Sequence, residues 1–486
     1  MGKYLLGLDC GHTVTKAVLF DLHGKQLAVG KGSNEQISLH PGWQERTMED
    51  AAQAALSAIK EAIKEIDASE IIGIGVSGHG DGLYPVDKNL NPVRNAIFAT
   101  DNRASSIAEK LNKSHGARFM EVIGQHLFAA SPITLLAWMK EHELENFKKT
   151  AYVLQCKDWI RLVLTGNAGS DVSDAAGAGA GLKSQKFEKE IFELAGISEI
   201  FPAMPSLSWG AEIAGKVSDH ASSTTGLKKG TPVIAGVHDV HAAAVGVGAY
   251  NFKDVSLIFG TWSINQVFSN SPHPDPRWHT RASIESNRWL HMCTSPASAS
   301  NANWFWNLFD TAELSELEKS LKNAEKSLLS EDRAFFMPYL FGGPAGTTPG
   351  ASLIGARGWH TKADVSATVI EGIVFNHKHH FDMLSEKVDT SGRIVATGGS
   401  MQSEVWAQLV ADIFNREIEI SDADESGARG LAMLVGVATG IYSSIDDAVL
   451  KCVKTSRIYK PNAERVTFFA ERYQRYREHA KDLVGC

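Results

Sequence analysis

In the stretch Gly236-Val237-His238-Asp239-Val240-His241, an acidic side chain stands between two runs of different character. Thr231 to Ala235 is apolar and reads as a buried strand. The small residues Ala242 to Gly246 read as a helix packed close against a neighbour. Asp239 then stands at a helix start, where backbone N–H groups favour an anion. A carboxylate in that position is either a helix cap or a base kept ionised for proton transfer. The remaining motifs favour the base, because they supply a phosphate site and a hydroxyl-binding site for it to serve.

The turns Asp9-Cys10-Gly11-His12-Thr13 and Gly260-Thr261-Trp262-Ser263 each set glycine and hydroxyl residues at a tight corner between apolar runs. Corners of this kind expose consecutive N–H groups that cradle phosphate oxygens, although most are plain hairpins. Their recurrence about half a chain apart favours one nucleotide gripped from both sides. Asp9, at a strand end, is a candidate magnesium carboxylate, since Mg2+ takes few carboxylates and several waters. Lys16, on the next strand, is either a phosphate contact or an edge-strand lysine. Gly398-Gly399, between a strand and a helix, permits close approach of a flat ring or a ribose. His79, Asp81, Asp101, Asn102 and Arg103 follow strands in the N-terminal half. They suit a polyol or sugar, whose hydroxyls need paired donors and acceptors; solvated surface loops are the alternative. His377-Lys378-His379-His380 looks metal-like but has no carboxylate partner in sequence, so a solvated helix face is expected. No Walker loop occurs, and Gly177-Ala178-Gly179-Ala180-Gly181 lacks the spacing and preceding strand of a dinucleotide fingerprint.

The elements that must position these residues follow from the hydrophobic pattern. Tyr4 to Leu8, Thr15 to Phe20 and Gln26 to Val29 read as an antiparallel meander. Thr47 caps a helix in which Ala52, Leu56, Ile59, Ile63 and Ile66 share one face, and Ile71 to Val76 is a further buried strand. The pattern restarts at Val255 to Phe259 and Ile264 to Phe268, and Arg393 to Ala396 leads through the Gly398-Gly399 turn into a helix at Ser403. A polar helix from Ala470 to Val484 carries Tyr473 and Tyr476 on one side. Together these predict an α/β protein of two similar domains, residues 1–248 and 249–486, with a cleft between them. The 486 residues, 43% hydrophobic and 21% charged, are enough for two cores, and a net charge of −8 argues against nucleic acid or an anionic membrane as partner. Five scattered cysteines lack metal-ligand spacing, and no apolar run reaches membrane-spanning length. With no signal-peptide pattern after Met1-Gly2, and Leu6 where a myristoylation motif needs Ser or Thr, a cytoplasmic protein is expected.

These residues together resemble the FGGY family of carbohydrate kinases, over essentially the whole chain. Leu6-Gly7-Leu8-Asp9-Cys10-Gly11 is similar to the family's first phosphate motif, and Pro41-Gly42-Trp43-Gln44-Glu45 to its Pro-Gly-Trp-x-Glu element. Ser131-Pro132 through His142 resembles the first signature, departing at Leu135, where many members carry Lys. Lys157-Asp158-Trp159-Ile160 and Phe336-Met337-Pro338-Tyr339-Leu340 are family-like. Ala351 to Glu371 is similar to the second signature, with departures at Ala356 and Thr368. The resemblance implies two actin-like ATPase (ribonuclease-H-like) domains, MgATP and an interdomain active-site cleft. It implies that Asp239 is the catalytic base and Asp9 the magnesium-linked carboxylate. Gly11, Thr13 and Lys16 then fall in the first phosphate loop, Gly260 and Thr261 in the second, and Gly398, Gly399 and Ser403 in the adenosine segment. Asp81 and Asp101 match substrate-contacting positions, with His79 close by.

The activity implied is ATP-dependent phosphorylation of a primary hydroxyl of a small sugar, such as the pentuloses L-xylulose or D-xylulose, by an enzyme that can be a homodimer. Within the family, Leu135 to Glu143, Gly260-Thr261-Trp262 and Asp239-Val240 look like the L-xylulose (3-keto-L-gulonate) kinases. Asp81 departs from them, since they tend to carry Lys there. It is similar to the erythritol-type kinases, and its charge suits a neutral polyol better than an acidic sugar. A polyol kinase of erythritol or glycerol type is therefore an alternative. So is an ATPase of the actin or chaperone class, which needs neither a hydroxyl-binding loop nor a base.

Overall fold

The computed structural model describes residues 3–308, 322–343 and 349–484; Met1-Gly2 and Cys486, noted above, lie outside them. Two mixed sheets organise the chain, each seven-stranded. The first uses β1 (Tyr4–Cys10), β2 (Val14–Phe20), β3 (Gln26–Ser33), β4 (Ile71–Gly78), β5 (Ile213–Lys216), β6 (Pro232–Ile234) and β7 (Val237–His238). Its order is β5-β6-β4-β1-β2-β3, with β7 pairing β4 beyond β6. The meander β1-β2-β3 is antiparallel, whereas β4 runs parallel to β1, β6 and β7. Helix α1 (Met48–Ala62) covers β2 and β3. It begins where Thr47 accepts the Asp50 N–H at 3.0 Å, and it buries Leu56 and Ile59 of the expected face with Ile63 at its C-cap, while Ala52 is half-buried and Ala51, Ala55 and Ala62 are buried instead. Ile66 falls beyond its end.

The second sheet repeats this plan with β8 (Val255–Phe259), β9 (Ser263–Ser269), β10 (His279–Ala282), β11 (Trp289–Ser295), β12 (Ile394–Thr397), β13 (Ile418–Ser421) and β14 (Thr455–Tyr459). Its order is β10-β11-β9-β8-β12-β13-β14. Again an antiparallel hairpin, β8-β9, lies next to a parallel strand, β12. The core under this sheet is built by α5 (Lys362–Ser385), α6 (Glu404–Phe414) and α8 (Ala463–Val484). Tyr473 and Tyr476, on one side of α8, are buried in it, and the helix begins seven residues before the expected Ala470.

One expectation is overturned here. His377 and His380 are 0% and 2% exposed, so they do not lie on a solvated helix face. α5 passes beneath the sheet and is covered on most sides. His377 Nδ1 bonds Asn265 Oδ1 at 2.6 Å, and its ring stacks on Phe259 at 3.7 Å. These histidines are satisfied core groups; burial keeps both imidazoles neutral.

Two short helices join the halves. α4 (Asp239–Gly246) follows β7 directly. α7 (Ser426–Ala438), although late in the chain, packs on β1 and β4 of the first sheet and against α4. Their crossing is made by glycines: a Cβ on Gly246 would stand 1.8 Å from the Ser426 carbonyl oxygen, and one on Gly430 would stand 1.9 Å from that of Ala242. Leu5, Val18, Val245, Ala428 and Leu431 form the shared core beneath.

Candidate active site

Strand register assembles the acidic centre. In β4, Ser77 lies opposite Asp9 of β1 on one side and Val237 of β7 on the other, so the three share a row at the carboxyl ends of parallel strands. Ligands bind outside such ends in open α/β sheets. Asp239, two residues past Val237, opens α4 and feels the charge of Asp9. Its Oδ1 accepts the Val240 N–H at 2.7 Å and lies 3.2 Å from His238 Nε2. The His238 ring is held neutral, first by burial and then by the positive charge of Arg281. Asp9 Oδ1 accepts the Ser77 hydroxyl at 2.8 Å.

The Asp239 side chain keeps 37% of its surface open to the cleft, yet protein surrounds it on the other sides. That crowding and the Asp9 carboxylate push its pKa up to about 8. Asp9 is raised too, mainly by burial. Carboxylates lifted together in this way suit a cation. Among the described residues no three metal-ligating side chains converge, so a divalent ion here would complete its shell with water and phosphate oxygens.

The first glycine turn continues directly from Asp9 at the end of β1. Thr13 is exposed, and its carbonyl holds the Asn34 N–H at 3.0 Å. Lys16 does not stand free: its ammonium pairs with Glu425, just before α7, at 2.8 and 2.9 Å. In the second half, Gly260, Thr261, Gly399 and Ser403 line one cavity of about 980 Å³. Gly398 backs it at φ 107°, where a Cβ would stand 2.4 Å from the Phe259 carbonyl oxygen; only glycine fits. Ser403 caps α6 and accepts the Trp406 N–H. Trp406, Arg457 and Tyr459 are also part of its wall. Sequence reasoning missed these three, because an aromatic or arginine inside a helix or strand has no local mark of a cavity wall. A second cavity, of about 360 Å³, lies at Phe147, Glu199 and Ala203, on none of the residues discussed above.

His79, Asp81, Asp101 and Arg103 are buried rather than solvated. His79 is 3% exposed, stacks on His12 at 4.2 Å and bonds the Tyr84 hydroxyl at 3.0 Å. Asp81 takes a left-handed backbone, φ 57°, and turns its carboxylate to Arg281 of β10, whose NH2 donates at 2.9 and 3.1 Å. The expected repulsion of an acidic sugar by Asp81 is therefore corrected: its charge is offset by a guanidinium 200 residues away in sequence. Asp101 accepts from Gln44 N and Arg103 NH2 on one oxygen and from Arg103 N and Nε on the other, all within 2.9 Å. All four lone-pair positions are used, so Asp101 anchors its loop and Arg103.

A nucleotide-sized cavity in one half, and a crowded carboxylate beside a buried polar loop in the other, define a two-domain phosphotransferase that acts on a small hydroxylated acceptor. The chain belongs to the FGGY family of carbohydrate kinases: residues 4–246 match the family's N-terminal domain and residues 255–439 its C-terminal domain. It is 30% identical to the L-xylulose/3-keto-L-gulonate kinase of Escherichia coli K12, over 100% of this chain and 98% of that protein. It is 26% identical to the xylulose kinase of Bacillus subtilis 168, over 99% and 98%. In fold it matches the ligand-bound xylulose kinase of Lactobacillus acidophilus with a TM-score of 0.91, at 23% identity over 99% of this chain and 98% of that one. The protein is a sugar kinase that uses ATP, and no helix among the described residues is long and apolar enough to cross a membrane.

Proposed function

We propose that this kinase phosphorylates a primary hydroxyl of a pentulose, L-xylulose or D-xylulose, with Asp239 as base. The observation that carries this reading is the position of Asp239: it opens α4 two residues past Val237, which shares the strand-end row of Asp9, and it stands within the electrostatic reach of both Asp9 and Asp81. The acceptor hydroxyl gives its proton to Asp239 as its oxygen bonds the γ-phosphorus of ATP. The bond from that phosphorus to the bridging oxygen breaks, and ADP leaves. Phosphoryl transfer through a loose transition state needs chiefly alignment, so a carboxylate is a competent late base. N–H groups at Gly11-Thr13 and Gly260-Thr261 hold the phosphates in line, and Gly398, Gly399 and Ser403 seat the adenosine. Asp9 would hold Mg2+ through water, and the ion would offset charge on the phosphates. The halves divide near residue 248, and the enzyme works in the cytoplasm.

ADP release with MgATP should respond strongly to one member of a panel of L-xylulose, D-xylulose, L-ribulose, D-ribulose, erythritol, glycerol, gluconate and 3-keto-L-gulonate. A response to erythritol or glycerol alone would replace the pentulose with a polyol. Slow turnover indifferent to every sugar would overturn the reading in favour of a mechanical ATPase.

The pH profile follows from Asp239. The base works only when deprotonated, and crowding lifts its pKa toward about 8 in the free enzyme. With the responding acceptor, kcat/KM should rise with pH on a limb well above the ordinary carboxylate range. A profile flat from pH 5 to 9 would contradict the environment described for Asp239.

A further inference from the structure

A residue from the second half of the molecule reaches the loop of His79 and Asp81 in the first. Arg281 lies on β10, at the edge of the second sheet, and its side chain is 0% exposed. It crosses to the first half, where NH2 binds both oxygens of Asp81 and Nε donates to Gln125 Oε1 at 3.0 Å. Backbone contact secures this crossing: the Thr280 N–H donates to the Gly124 carbonyl at 3.1 Å. Two donors are left over. Arg281 NH1 and Gln125 Nε2 are buried and have no hydrogen-bond partner. Asp81 also keeps acceptor capacity, because a carboxylate has about four lone-pair positions and only Arg281 NH2 reaches its oxygens. Gly177 flanks the pair: a Cβ there would stand 2.5 Å from Asp81 Oδ1 and 3.2 Å from Arg281 Cζ. Gly177, the first residue of the run that fails as a dinucleotide fingerprint, thus keeps a side chain away from the pair.

We propose that Arg281 is a specificity-determining residue, which with Asp81 grips two neighbouring oxygens of the acceptor remote from the one phosphorylated. The inference rests on the sugar-kinase reading of this pocket. A vicinal diol, or a hydroxyl beside a carbonyl, matches the pair: one oxygen accepts from NH1, and a hydroxyl donates to the Asp81 carboxylate. Buried donors left unpaired by the wrong substrate are what make such a site selective. The pair also explains how an acidic residue is tolerated in a buried sugar loop, since each charge is matched before the sugar arrives.

The test compares wild type with Arg281→Lys across the acceptor panel, measuring KM and kcat for each sugar and KM for ATP. Lysine keeps the charge but not the forked donors. The expected result is a rise of about tenfold or more in acceptor KM, a changed order of preference among the sugars, and an ATP KM within twofold. An analogue of the best acceptor lacking one hydroxyl of the gripped pair should lose that difference between the enzymes. Where Arg281→Lys does not fold, the double variant Asp81→Asn/Arg281→Gln replaces the ion pair with a neutral hydrogen-bonded one, and the same rise in acceptor KM is expected. An active wild type with unchanged acceptor KM and unchanged preference in a folded variant would overturn this inference alone. A wild type that phosphorylates no sugar would overturn the kinase reading, and this inference with it.

Discussion

Asp239→Asn is expected to keep ATP and sugar bound while turnover falls by about a thousandfold or more, within the range that positioned bases supply. The amide retains the shape of the carboxylate and can still accept the Val240 N–H, but it cannot take the acceptor's proton. The same change should make the protein more stable. A carboxyl whose folded pKa is raised binds more protons folded than unfolded, so its ionisation weakens the fold as pH rises from about 4 to about 8. The neutral amide removes that penalty. The gain should be absent near pH 3, below both pKa values, and full above pH 8. Because 37% of the side chain is open to solvent, the gain is discounted to about 1 kcal/mol, a shift of roughly 1–2 °C in Tm. Kinetics with the responding sugar and thermal melts at pH 5 and pH 9 read both effects. Turnover within tenfold of wild type would remove Asp239 from the role of base, and a melt lowered at pH 9 would contradict the crowding.

The parts of this site that rest on local pattern were readable in the chain. Asp239 stands where an apolar run gives way to small residues, and the structure puts it at the first residue of α4. Thr47 begins its helix, and the hairpin at Val255 repeats the one at Tyr4. What was not readable depends on residues brought together from far apart. Lys16 and Glu425 are 409 positions apart, and Asp81 and Arg281 are 200 apart, so neither pair leaves a spacing to find. The Asp81 charge was therefore read without the guanidinium that offsets it. His377 and His380 were read as solvated because a run of polar letters on a helix usually is. Their burial follows from where α5 passes, not from their types. Asp101 was read as a substrate contact, although the neighbouring Arg103 and the distant Gln44 saturate it.

Gly246→Ala and Gly430→Ala test whether the α4–α7 crossing holds the base in place. Neither glycine has a positive φ, so alanine fits the backbone at both positions and favours the helix by about 1 kcal/mol. The objection is steric. Each new Cβ would stand under 2 Å from a carbonyl oxygen of the facing helix, and main chain cannot swing aside as a side chain can. The helices must part by about 1 Å or more to reach ordinary contact, and overpacking of this kind costs about 1–3 kcal/mol. α4 begins with Asp239, and α7 lies against Asp9 through Gly427, where a Cβ would stand 2.9 Å from Asp9 Oδ2. Separation of the helices therefore moves Asp239, the proposed base, relative to Asp9. A misplacement of about 1 Å is worth on the order of a hundredfold in rate. Both variants should lose about that much in kcat with a lowered Tm, whereas Gly358→Ala, with nothing within 4 Å of its new Cβ, should match wild type. Full activity in Gly246→Ala and Gly430→Ala would mean that the crossing can open without disturbing Asp239, and that the two halves position the base by some other contact.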